Sequence, residues 1–322
     1  MSIYADLTMA TACRALGEAG LSYPAEALTI DAREERWVVT LPEGRIAWFP
    51  ASEAGARRLA VERHVLGLLV ERCLFRVPEV LFVSDAGFDV RRMVPGRCDP
   101  WGLYDRCQGA SALAQKIGRS VGKILVEQHT RIAQADVAGW LPRRVPWPEP
   151  GTWVCERLPR VVDDRGLIRA LGNVIDMYER TPVETSDCAL VHGDFGLHNV
   201  ATDPETDAVN GVFDYDGAAW ADRHHDFRYL LFDIGRENVL DAALEVYEPM
   251  IGQSLNRDRI QLYNAACAIT FLAFRVGVPP EQKSCGRTLA EDLRWVCAAL
   301  ARLTGKGEPR AAGNRPSQEQ RS

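Results

Sequence analysis

Leu190-Val191-His192-Gly193-Asp194-Phe195-Gly196-Leu197-His198-Asn199-Val200, followed after a turn-rich gap by Gly211-Val212-Phe213-Asp214-Tyr215-Asp216-Gly217, is the stretch on which the reading of this sequence turns. Asp194 and Asn199 stand five apart across a glycine-containing loop, and Asp214 follows a short apolar run, residues 209–213, that reads as a buried strand. Three oxygen-bearing side chains are therefore expected to converge. A lone Asp-x-x-x-x-Asn would read as a polar turn, because Asp and Asn tolerate unusual backbone angles. The second segment, with its own aspartate, sets the pair apart.

Such convergence is what transfer of a phosphoryl group from a nucleotide requires, since the protein mainly positions a nucleophile and holds magnesium. Asp194 would accept the proton of the attacking hydroxyl, Asn199 would offer its carbonyl oxygen to a metal, and Asp214 would bind the metal that bridges the phosphates. Magnesium keeps much of its water and needs few protein oxygens, so two ligands suffice.

The runs HGDFGLHN at 192–199 and GVFDYDGAAWADRHHDF at 211–227 resemble the two signature segments of the aminoglycoside phosphotransferase family, whose fold is similar to that of protein kinases. The resemblance implies that Asp194 is the catalytic aspartate and that Asn199 and Asp214 are the metal ligands. It makes Asp222 and Asp226 structural acids that brace the catalytic loop. It further implies Mg2+ as cofactor and ATP or GTP as phosphate donor.

Composition agrees with an ordinary globular enzyme. At 322 residues the chain exceeds the usual single-core limit, and 47% hydrophobic residues supply a sizeable interior. A net charge of −6 with scattered basic residues argues against a nucleic-acid partner and suits neutral or cationic substrates. The nine cysteines, among them Cys13, Cys73, Cys98, Cys155 and Cys297, are odd in number and form no Cys-x-x-Cys pair, which suggests reduced, buried thiols in a cytoplasmic protein. The first dozen residues do not read as a secretory signal, and no apolar run is long enough for a membrane span.

Along the chain, residues 4–20 read as a short amphipathic helix, and residues 27–30, 37–41 and 45–49 as strands, the last two joined by a hairpin turn at Pro42-Glu43-Gly44. From Ser52, a plausible N-cap, to Arg72 the pattern is helical. Leu59, Glu62, Leu66 and Leu69 share one face there. A carboxylate among leucines is costly to bury alone, so Glu62 either meets a cation at the cleft or sits at the edge of the face and points to water. In kinase-like folds the matching helix carries a glutamate that orients a strand cation gripping the phosphates; by that resemblance Glu62 is the candidate cofactor-binding residue.

The N-terminal region departs from the family precedent. The run RIAWFP at 45–50 resembles a family segment with lysine or arginine immediately before Phe-Pro, but Trp48 stands in that place, and an indole cannot neutralise a phosphate. Upstream, Asp31-Ala32-Arg33-Glu34-Glu35-Arg36 lacks the glycines of a phosphate cradle. Arg36, Arg45, Arg91 or Arg92 could supply the missing cation, although strand alternation puts Arg45 on the face opposite Trp48.

Residues 80–83 and 88–93 read as two more strands, and the turn at Pro95-Gly96 resembles the hinge between lobes. Residues 111–129 form a long helix ending at His129, which reads as a capping histidine. Residues 141–160, rich in Pro, Trp and Arg, read as a loop with fixed bends, either packed on the surface or part of an acceptor pocket. His192, two residues before Asp194, resembles the catalytic-loop histidine of protein kinases, which implies a bracing role, and His198, His224 and His225 lack the spacing of a zinc site.

Farther on, Asp233, Glu237, Asp241, Glu245 and Glu248 fall on one helical face, opposite Phe232, Val239, Ala243, Val246 and Met250. Such a stripe is usually solvated surface, but near a cleft it would attract a polycationic acceptor. Residues 261–276 and 288–303 are apolar helices, and 304–322 has the composition of a disordered tail.

The expectation is an α+β, two-lobed protein-kinase-like fold: a small antiparallel-sheet N-lobe over residues 1–95 on the nucleotide side, a mainly helical C-lobe over 96–303 carrying the catalytic loop, metal site and acceptor pocket, and the tail. The resemblance implies magnesium-dependent transfer of a γ-phosphate to a hydroxyl of a small molecule, with an aminoglycoside-like acceptor favoured and antibiotic resistance as the outcome. A catalytically silent module binding ligand or nucleotide is the rival, and so is a kinase for choline, a sugar or another small alcohol, because the fold does not fix the acceptor.

Overall fold

A computed structural model describes residues 4–33, 35–232 and 236–305 of the chain. Glu34, Asp233, the side chain of Phe232 and residues 306–322 lie outside the described residues. In chain order the elements are α1 (Met9–Glu18), β1 (Thr29–Arg33), β2 (Arg36–Leu41), β3 (Arg45–Pro50), α2 (Glu53–Arg72), β4 (Glu79–Val83), β5 (Asp89–Arg92), α3 (Pro100–Gly109), α4 (Ser111–Arg131) and α5 (Gln134–Val137). There follow α6 (Gly151–Arg157), α7 (Arg165–Arg180), β6 (Cys188–Val191), β7 (Val200–Thr202), β8 (Val209–Val212), β9 (Ala219–Asp222), α8 (His224–Phe232), α9 (Glu237–Ile251), α10 (Arg257–Ala273) and α11 (Leu289–Leu303).

The chain divides into two compact units, one built from residues up to Trp147 together with Pro182–Asn256, the other from Pro148–Thr181 and the residues from Arg257 onward. In the first unit, β1 to β5 form one antiparallel sheet in the order β1-β2-β3-β5-β4. Alternation sends Val39, Ala47, Phe49 and Val90 to one face, where with Leu16 of α1 and Phe88 they make an apolar core; the Phe49 and Phe88 rings stack at 4.5 Å.

Cross-strand partners share a face. Val38 pairs with Trp48, Trp48 with Asp89, and Ile46 with Arg91, so Arg36, Trp48, Asp89 and Arg91 lie together on the other face. Helix α2 covers that face. Its N-terminus is capped by Ser52, whose Oγ accepts from the Gly55 N–H at 3.0 Å, and Leu59, Val65, Leu66 and Leu69 are buried.

The helical part of the first unit is centred on α4 against α9. Gly118 and Gly122 permit the close approach, since a Cβ on either would collide with the carbonyl oxygen of Val239 or Ala243. Two short antiparallel pairs, β6 with β9 and β7 with β8, carry the signature segments. In the second unit, α7 contributes buried Leu171, Val174 and Ile175, and α10 carries buried residues around its whole circumference. A capping box between Thr288 and Glu291 starts α11.

Several expectations are corrected. Residues 141–160 are not loop throughout: after Pro148 and Pro150 the chain enters α6 and a short 3-10 turn, Leu158–Arg160, because Val154 and Leu158 bury themselves and the Gly151 N–H finds Glu179 at 2.7 Å. Met250, assigned to the apolar face of α9, is 67% exposed at its last turn. The cysteines are buried at Cys73, Cys107 and Cys267 but exposed at Cys98, Cys155, Cys285 and Cys297. No helix of the described residues is long and apolar enough to cross a membrane.

Candidate active site

Strand β6 ends at Val191 and delivers His192 into a backbone turn that only glycine can make. Gly193 has φ +82°, and a Cβ there would strike the carbonyl oxygen of Gly217. Asp226 on α8 fixes this turn, accepting from the N–H groups of His192 at 2.9 Å and Gly193 at 3.1 Å, and also from Gln128 and His129 of α4. Burial would raise the Asp226 pKa, but these donors, His129 foremost, hold it below the ordinary value. The bracing role expected of Asp226 is thus visible atom by atom, while Asp222 caps the head of α8 by accepting from the His224 N–H at 3.0 Å. His129 does not cap its helix. It is buried, 2.8 Å from the Tyr247 hydroxyl and 3.1 Å from Asp226.

His192 Nδ1 accepts from the Asp194 N–H at 3.2 Å, so its Nε2 carries the proton and donates to the Phe213 carbonyl at 3.0 Å. Asp194 itself is 30% exposed at its side chain. It accepts from the Tyr229 hydroxyl, from His198 Nε2 at 3.0 Å, and from the Asn199 amide at 3.3 Å; the same amide donates to the Asp194 carbonyl at 2.9 Å. Burial alone would raise the Asp194 pKa, but the hydrogen bond and charge of His198, with help from Tyr229, hold it far below the usual carboxylate range.

Asn199 is buried, and its amide nitrogen is committed to Asp194, which leaves its side-chain carbonyl oxygen as the atom that could meet a cation. Its backbone carbonyl accepts from the Phe213 N–H at 3.0 Å, and this bond with the His192–Phe213 contact ties the two signature segments together immediately before Asp214. Asp214 has left-handed backbone angles, φ 69° and ψ 59°, tolerated by aspartate. Its Oδ1 receives Arg36 at 2.7 Å, and Arg36 also reaches Asp216 Oδ2 at 3.0 Å. Burial, together with the neighbouring Asp214 carboxylate, pushes the Asp216 carboxyl up to about 7 against the pull of Arg36.

Glu62 is fully buried. Its Oε1 accepts from the Tyr215 N–H at 3.1 Å, and its Oε2 forms an ion pair with Arg91 at 2.8 Å. Of the two readings open from sequence, the meeting with a cation is the one observed. Arg91 also contacts Asp89 at 2.9 Å; burial works to lower the Arg91 pKa, and the two carboxylates overcome it. The structure therefore brings Asp194, Asn199, Asp214 and Glu62 into one bonded constellation.

In the acidic stripe, Glu237, Asp241 and Glu245 are exposed, whereas Glu248 accepts from the Leu255 N–H at 2.8 Å. Among the described residues no three His, Cys, Asp or Glu side chains converge as a metal cluster. The oxygen pair of Asn199 and Asp214 is chemically suited to a hard cation such as magnesium, which needs only one or two protein ligands. Sequence reasoning missed Tyr229, which follows Asp226 by three and so shares its helix face, and passed over His198 except as a zinc ligand.

The profile of the phosphotransferase enzyme family matches residues 20–263, both signature segments included. The chain belongs to that family. Among solved structures, this phosphotransferase-family chain is similar to the GDP complex of wild-type aminoglycoside 2'-phosphotransferase-IIIa (TM-score 0.64, 17% identity, covering 92% of this chain and 96% of that one). It is also similar to the macrolide 2'-phosphotransferase apoenzyme from Brachybacterium faecium (0.60, 17%, 89% and 97%). A choline/ethanolamine kinase family protein from Mesorhizobium loti matches at 0.56 and 17%, covering 94% and 96%. None of the curated proteins matches. The fold class expected from sequence, a small antiparallel sheet followed by a mainly helical remainder, is the one these structures share.

Proposed function

We propose that this protein transfers the γ-phosphate of ATP or GTP to a hydroxyl group of a small molecule, with an aminoglycoside-like acceptor favoured. Asp194 is the catalytic residue in this reading, Asn199 and Asp214 hold Mg2+, and Glu62 keeps the nucleotide side of the site in register. The observation that supports it most is the Asp194 carboxylate, partly open to solvent and held by Tyr229, His198 and Asn199, whose backbone carbonyl in turn holds Phe213, the residue before Asp214.

So acidic a carboxylate is a weak base. Asp194 would align the acceptor hydroxyl through a hydrogen bond and take its proton late, as the new oxygen–phosphorus bond forms; a loose transition state demands no more. Magnesium, when bound, would neutralise charge on the phosphates. Tyr229 and His198 fix the carboxylate's orientation, and Glu62 fixes the backbone of Tyr215 next to the metal ligand. This reading keeps residues 1–95 as the nucleotide side, 96–303 as the side of chemistry and acceptor, and a cytoplasmic location.

A second reading, a catalytically silent binding module, draws support from Trp48 at the position where the family pattern has a cation. Phosphate transfer from ATP and GTP to a panel of aminoglycosides, macrolides, choline and sugars, with Asp194→Ala and Asp214→Ala alongside, tests both. Magnesium-dependent turnover lost in the two variants supports the kinase. Nucleotide binding with no turnover on any acceptor favours the silent module, and absence of both ends the proposal.

A further inference from the structure

The sheet face above the signature segments holds two guanidiniums where a strand lysine would be expected to stand alone. Arg36 enters at the start of β2, and its guanidinium carbon lies 4.3 Å from the centre of the Trp48 indole; that of Arg91 lies 5.5 Å from it. Both fall within cation–π range of one ring, roughly 6 Å. The two arginines differ in their commitments. Arg91 is 1% exposed and is consumed by Glu62 and Asp89. Arg36 keeps 17% of its side chain exposed, and its partners are the two acids flanking Tyr215, Asp214 and Asp216. The remaining candidates are turned away: Arg45 pairs with Glu43 at 2.7 Å and Arg92 with Glu79, and these two arginines face each other across β3 and β5 on the opposite side of the sheet.

We propose that the two tasks expected of one β3 cation are divided here, Arg91 holding the α2 glutamate and Arg36 binding the phosphates of the donor nucleotide, with Trp48 as the platform that aims it. The inference rests on the kinase reading above and names the residue that makes it possible in a chain without the strand lysine. Arg36 contacts Asp214 at Oδ1 alone, and a divalent cation on that carboxylate would neutralise its charge and weaken its hold on the guanidinium. Arg36 keeps Asp216 through its other nitrogen, and the edge released from Asp214 is then available to the phosphate oxygens that the metal brings with it. A guanidinium fork suits such bidentate contact, and stacking on an indole limits the rotamers it can adopt.

Calorimetric titration of the whole chain with ATP and GTP, and with the corresponding nucleosides, in the presence of Mg2+ tests this. Arg36→Met is expected to weaken triphosphate binding roughly tenfold to a hundredfold, the loss of a charge-assisted contact, while nucleoside binding and melting temperature stay as in wild type. Arg45→Met, on the opposite sheet face, should leave both unchanged. Adding Trp48→Lys to Arg36→Met should restore triphosphate binding, because it returns a cation to the same face. Triphosphate affinity in Arg36→Met within about twofold of wild type overturns the assignment of Arg36 and leaves the kinase reading standing. A wild-type protein that binds no triphosphate at all overturns the kinase reading itself, and this assignment with it.

Discussion

Glu62 on α2 and Arg91 on β5 form an ion pair at 2.8 Å with neither side chain more than 1% exposed. Such a pair contributes little over apolar packing, but removing one partner strands a buried charge. Arg91→Met would strand Glu62 and leave Asp89 with Arg63 at 3.5 Å, and is expected to lower unfolding free energy by about 3–5 kcal/mol. Glu62→Gln keeps an acceptor for the Tyr215 N–H and should cost less. Urea unfolding of both variants checks the order, and an Arg91→Met protein as stable as wild type contradicts it.

Asp194→Asn keeps the shape of the side chain and its contacts with Tyr229 and Asn199 but removes the proposed proton acceptor. Turnover should fall roughly 10²- to 10⁴-fold, with KM for the nucleotide little changed. Tyr229→Phe should lower kcat less, because His198 and Asn199 still hold the carboxylate. Steady-state kinetics on whichever acceptor proves active decides it; equal losses in the two variants would show that orientation, not proton acceptance, is the task of Asp194.

The two proposed metal ligands should separate by their dependence on magnesium. Asn199→Ala removes a neutral oxygen and one of the three side-chain donors to the Asp194 carboxylate, so it should raise the magnesium concentration at half-maximal rate and lower kcat. Asp214→Asn suits the left-handed backbone at that position and deletes only charge. It should abolish magnesium-dependent nucleotide binding without unfolding the protein. Unaltered magnesium titrations in both variants would remove these residues from the metal site.

Two buried histidines give the stability a pH dependence of definite sign. Burial, with help from Arg228, pushes the His225 pKa down to about 3, and burial also lowers that of His129. Between the ordinary value of 6.5 and about 3 the unfolded chain takes up a proton at His225 that the folded one refuses. The histidine contribution is therefore full above that window and is lost as pH falls inside it, by about 1.4 kcal/mol per pH unit for each such group. Acid loss of Asp226 bonds, at lower pH, acts in the same direction. Asp216, with its carboxyl pushed up to about 7, contributes with the opposite sign between there and the ordinary value of 3.8, so the check is differential. In thermal melts from pH 7 to 4, His225→Phe should lose less stability than wild type, and identical pH profiles in the two proteins would falsify the assignment.

Much of this was legible beforehand because it is local. The strands up to β5, the Ser52 cap, the long α4 and the signature loop follow from alternation, helical spacing and capping chemistry within a few residues of chain. Glu62 stood out because a carboxylate among leucines needs a partner. Its partner did not, because Arg91 reaches it only through the order β2-β3-β5, which no single strand encodes. Helix α6 was hidden by the prolines before it, and α3 starts from an Asp99 cap in a stretch without clear periodicity. The role of Tyr229 depended on how α8 turns toward the loop, a tertiary fact.

The shared face of Arg36, Trp48, Asp89 and Arg91 bears on how sequences of this kind are sorted. A screen that asks for a basic residue at one alignment column would discard this chain on reading tryptophan. Positive charge carried by adjacent strands can serve the same cavity from different columns. Whether a kinase-like sequence is armed should therefore be judged by the sum over a surface, not by the identity at a site.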